Sequence, residues 1–108
     1  MKQFNPDEIH ERLRLAGEEW AEKDAAANAL EETKPTLLAE LANQAVAGSE
    51  AAKKNLALSD SAYRLHLTNM VSARKEANRA KVRYETGKIW AELKRTQEST
   101  KRAEMNQR

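Results

Sequence analysis

Ile9, Leu13, Ala16, Trp20, Ala27 and Leu30 recur near the 3.6-residue period of an α-helix and trace one apolar face along the first third of the chain. The residues ahead of this face supply a start signal. Asn5 is placed to accept a hydrogen bond from the Glu8 N–H, and Pro6 suits the first helical position, where its missing N–H costs nothing. Asp7 and Glu8 favour the positive end of the helix dipole, and Glu8 has capping-box spacing from Asn5. Glu19 and Lys23 are spaced as a surface i,i+4 pair. Pro35 removes a backbone donor and disfavours helix at Lys34, which predicts a kink or short break at 33–36. The pattern resumes over 37–47 through Leu38, Leu41, Ala42 and Ala45, and Gly48 ends it. Ser49 is a cap for a short helix to about Leu58, and Ser59-Asp60-Ser61 offers the cap of a third.

From Asp60 to Glu104 there is no proline and one glycine, Gly87. Helix throughout would give a rod roughly 65–70 Å long, too long for a compact chain of this size to bury by itself. On a helical projection, Ala73, Ala77, Ala80, Tyr84, Gly87 and Ala91 form one stripe of mostly small residues. Val71, Val82, Ile89 and Leu93 form a second on nearly the opposite side. Two faces imply a helix held between neighbours. The small stripe suits close approach of another backbone, and Gly87 fits there despite its poor helix propensity. The sequence therefore predicts that this helix associates with copies of itself, as a dimer first and a higher even-numbered assembly second. Within that expectation Ala80→Glu dissociates the assembly.

Composition supports the helical reading. Of 108 residues, 40% are hydrophobic and 33% charged, with 5% aromatic, 3 Gly and 2 Pro, which argues against a sandwich or barrel. Absence of cysteine excludes disulfide scaffolds and thiolate zinc sites. No apolar run reaches the roughly 20 residues of a membrane span, and Met1-Lys2-Gln3-Phe4-Asn5-Pro6 lacks a signal-peptide core, so a soluble cytoplasmic protein without a membrane partner is expected. Net charge is +2 but unevenly placed. Residues 1–62 carry seven Lys/Arg against twelve Asp/Glu, and residues 63–108 carry twelve against five. Either the two halves lie against each other, within one chain or between two, or the basic half meets phosphate.

Catalytic spacing is missing. His10 and His66 form no HExxH or i,i+4 pair, Glu18-Glu19 and Glu31-Glu32 point apart as helix neighbours, and no Gly-rich phosphate loop or nucleophile elbow occurs. No enzyme activity, metal or cofactor is expected. The candidate chemistry is cationic: Arg74, Lys81, Lys88 and Arg95 recur every seven residues, while Arg79, Arg83, Lys94 and Lys101 lie along another side with Lys75 at its edge. Such rows can neutralise phosphates in a salt-sensitive manner, and Tyr84 and Trp90 offer rings of the kind on which bases stack. Basic residues beside an apolar seam equally serve partner choice in a bundle.

The stretch 62–105, above all Ala73-Arg74-Lys75-Glu76-Ala77-Asn78-Arg79-Ala80-Lys81-Val82-Arg83-Tyr84 and Ser99-Thr100-Lys101-Arg102-Ala103-Glu104-Met105, resembles small helical proteins encoded by tailed bacteriophages and prophages. Such proteins are often encoded near recombination or replication genes. The resemblance implies a phage accessory protein in a bacterial cytoplasm and carries over no functional residue.

The resulting expectation is an all-α, single-domain protein. It has a kinked acidic N-terminal helical segment (1–48), a connecting helix (49–58), a long basic helix (59–105) that forms an intermolecular bundle or coiled coil, and a frayed tail (106–108). Expected partners are itself, then DNA or RNA through Arg74, Lys75, Arg79, Lys81, Arg83, Lys88, Lys94 and Arg95, or an acidic protein surface docking on that face. Ala73, Ala77, Ala80, Tyr84, Gly87, Ala91, Val82, Ile89 and Leu93 are the expected oligomer interface.

Overall fold

The computed structural model describes residues 5–45 and 48–107. Met1–Phe4, Val46, Ala47 and Arg108 lie outside that description, so the expected start of the chain and the last residue of the expected tail are not covered. Three helices account for nearly all the rest: α1 (Pro6–Gln44), α2 (Glu50–Ser59) and α3 (Ser61–Asn106). None is long and apolar enough to cross a membrane.

Short polar side chains start each helix by accepting from otherwise unpaired N–H groups. The Asn5 carboxamide oxygen accepts from the Asp7 and Glu8 N–H groups, at 3.1 and 3.3 Å. Ser49 Oγ accepts from Ala52 N–H and Asp60 Oδ1 from Ala62 N–H. The Glu8 carboxylate turns to Arg12, 2.7 Å away, and so serves an intrahelical ion pair. Gly48 provides the turn after α1 with φ of +118°, a conformation that a side chain would strain.

The expected interruption at 33–36 is absent: α1 continues through Pro35. The missing N–H leaves the Glu31 carbonyl without its usual partner, but Pro35 lies on the exposed side, where water can reach it. Three hydrogen bonds brace the turn beneath. Thr33 Oγ1 donates to the Ala29 and Leu30 carbonyls, and His66 Nε2 approaches the Leu30 carbonyl to 2.7 Å from α3. A carbonyl only accepts, so Nε2 carries the proton. Packing on both sides of the proline holds the helix together against its local preference.

α1 and α3 run antiparallel as a hairpin, with α2 beside the end of α1 and a single residue, Asp60, joining it to α3. The molecule measures 86 × 20 × 18 Å, a rod one helix pair wide. Its seam has a seven-residue repeat on both strands. On α3 the inward positions are Tyr63, His66, Met70, Ala73, Ala77, Ala80, Tyr84, Gly87, Ala91, Lys94 and Glu98, and all are buried or half-buried. On α1 they are Ile9, Leu13, Ala16, Trp20, Lys23, Ala27, Leu30, Lys34, Leu37 and Leu41. Small side chains dominate the centre, where Ala27 is fully buried and Ala77 and Ala80 nearly so. A Cβ built at Gly87 would lie 3.2 Å from the Leu13 side chain, so the helices meet closely there.

This overturns the assignment of the small-residue stripe to contacts between copies. Ala73, Ala77, Ala80, Tyr84, Gly87 and Ala91 face the chain's own α1. A hairpin can cover one side of a 46-residue helix when α1 itself extends for 39 residues. Lys94 and Glu98 continue the seam positions near the start of α1, so the repeat turns polar as its apolar partner runs out.

Candidate interaction surface

Outside the seam on α3 come the flanking charges, and here the acidic and basic halves meet within one chain. Arg74 is the centre of this arrangement. Its guanidinium grips Glu31 with two parallel bonds, Nε to Oε1 at 2.9 Å and Nη2 to Oε2 at 3.0 Å. It also donates through Nη1 to Asp24 Oδ1 at 2.7 Å and through Nη2 to Asn28 Oδ1 at 2.6 Å. Asp24, Asn28 and Glu31 are spaced four and three apart, so one flank of α1 presents all three acceptors. The bond from Arg74 holds the Glu31 carboxyl below its ordinary range.

Along the other flank Arg83 donates to Glu19 Oε1 at 2.9 Å. Glu19 therefore bridges the helices, and the expected partner Lys23 lies half-buried in the seam. Between the flanks, the Trp20 and Tyr84 rings pack 5.6 Å apart at 32°. Lys81 lies over Trp20 and Lys88 over Tyr84, at 5.8 and 5.6 Å from the ring centroids. Glu85 pairs with Lys81 at 3.9 Å.

The two candidate basic rows are thus not gathered into one open track. Arg74, Arg83, Lys81 and Lys88 are engaged with α1 or with seam aromatics, and Tyr84 is itself a seam residue. Arg79 pairs within α3 with Glu76, and Lys94 covers Trp90 at 5.8 Å. Lys75 and Arg95 have no carboxylate within ion-pair distance among the described residues. Also among the described residues, no cluster of His, Asp or Glu is arranged to hold a metal ion.

The second apolar stripe remains outward-facing. Val71, Val82, Ile89 and Leu93 are 69%, 60%, 60% and 59% exposed, on the side of α3 directly opposite the closed seam. Val71, Val82 and Leu93 are separated by eleven residues each, a period that stays nearly in line along a straight helix. A shallow, largely apolar groove of about 760 Å³ runs over this face past Met70, Val71, Asn78 and Val82. A second, of about 480 Å³, adjoins it and runs from Val82 past Thr86 and Trp90 toward Ile9 and Leu13. Of the nine expected interface residues, only Val82, Ile89 and Leu93 are therefore exposed for a neighbour. Comparison with protein-family models, curated proteins and solved structures finds no match.

Proposed function

We propose that this chain is a non-enzymatic helical association module, a hairpin rod that joins a second copy of itself through the outer face of α3. The carrying observation is the line of Val71, Val82, Ile89 and Leu93, large apolar side chains left open on a helix whose other side is already satisfied. An ordinary surface helix has one apolar stripe, and the second has no use in the isolated hairpin. Its role is structural or adaptor-like, and the resemblance of residues 62–105 to small phage and prophage proteins supports an accessory protein of the bacterial cytoplasm. Sedimentation across a concentration series tests the reading. A mass rising from 12.2 kDa to twice that value supports it, and a 12.2 kDa species throughout removes it.

A second reading, nucleic-acid contact, is favoured by one observation: cations outnumber carboxylates four to one toward the far end of α3. Lys94, Arg95, Lys101 and Arg102 share that stretch with a single carboxylate, Glu98. Fluorescence anisotropy with single- and double-stranded oligonucleotides at low and high salt tests it. Binding that weakens steeply with salt and falls on replacing Arg95 and Arg102 with Gln supports contact with phosphate. No binding at low salt removes it.

A further inference from the structure

We infer that the second copy docks antiparallel, α3 against α3, about a two-fold axis at Val82. This inference rests on self-association through the outer face and specifies its geometry. The pattern of the strip carries it. Reversal about Val82 sets Val82 against Val82 of the second copy and Val71 against Leu93 of the second copy, because Val71 and Leu93 lie equally far from Val82 along the helix. Lys75, exposed within the same strip, is the discriminating residue. In a parallel pair it would meet Lys75 of the second copy, placing two ammonium groups together in the contact. In the antiparallel pair it meets Ile89 of the second copy, across which its aliphatic stem can lie while the charge reaches water.

One flank is also complementary. Arg74, its fork held on α1, lies level with Glu92 of the second copy, and among the described residues Glu92 has no ion-pair partner in its own chain. Two hairpins joined this way form a flat layer of long helices in the order α1, α3, α3, α1. Their basic α3 ends project from opposite ends of the layer, on the order of 50 Å apart at the 1.5 Å rise of a helix.

The chain contains no cysteine, so single introduced thiols report the geometry directly. Val82→Cys, Lys75→Cys and Ile89→Cys are made separately and oxidised mildly at a concentration where sedimentation gives the dimer mass. The antiparallel pair predicts that Val82→Cys cross-links to itself. Lys75→Cys alone and Ile89→Cys alone stay unlinked, since each thiol would be roughly 20 Å from its copy. An equimolar mixture of those two variants gives the mixed disulfide. Self-linking of all three variants means a parallel pair and overturns the proposed orientation while leaving self-association standing. A dimer mass with no link at Val82 overturns the axis, and a monomer mass overturns both orientation and association.

Discussion

Single residues in this protein divide by which side of α3 they occupy. Ala80 is nearly fully buried against α1, so Ala80→Glu forces a bulky carboxylate into a seam packed around a methyl group. The sequence reading expected that variant to separate copies. The structure predicts instead that it opens the hairpin, costing about 3 kcal/mol or more and visible as lost helicity and a lower melting midpoint in circular dichroism. Unchanged melting would contradict the seam. Arg74 supports a different test, because its fork needs the Glu31 carboxylate. Glu31 titrates below its ordinary value, so the stability it contributes is complete above the ordinary carboxylate range and disappears as pH falls through the depressed folded value. Arg74→Ala should therefore melt below the parent at pH 7, and the gap should close progressively below about pH 4. Arg74→Lys should recover only part of the difference, since an ammonium cannot bind Glu31 through two parallel bonds.

At the scale of the helix, local chemistry and packing gave different answers at Pro35. The caps at Asn5, Ser49 and Asp60 were legible because each depends on one short side chain and the N–H groups two or three residues ahead. Continuity through Pro35 was not, because it depends on His66 and on packing from an element later in the chain. Pro35→Ala restores the backbone bond to Glu31 and should raise stability by about 1–2 kcal/mol, with helix content nearly unchanged. A large gain in helicity would show that α1 is interrupted in solution. The seam teaches a related lesson. The small stripe on α3 and the α1 face from Ile9 to Leu30 were both readable, but Lys23 and Lys34, half-buried seam residues, interrupt that face and hid its continuation as one repeat. Without the matching repeat, the stripe was assigned to another copy. The charge imbalance between the halves carried the right information in coarse form. It left two outcomes open, acid lying against base or the basic half meeting phosphate, and the choice of Asp24, Asn28 and Glu31 for Arg74 depends on the register of the hairpin.

The whole molecule is a hairpin that satisfies one apolar side of α3 within the chain and leaves the other open for a copy. These are separable claims, because Val82 and Ile89 lie on the side away from α1. Sedimentation velocity on Val82→Glu/Ile89→Glu, with helicity measured on the same sample, tests them together most directly. The account predicts a parent protein at twice 12.2 kDa and a variant that sediments at 12.2 kDa while keeping its helix content. A variant still at twice that mass, or a parent already at 12.2 kDa, would contradict the outer face as the place where two copies meet.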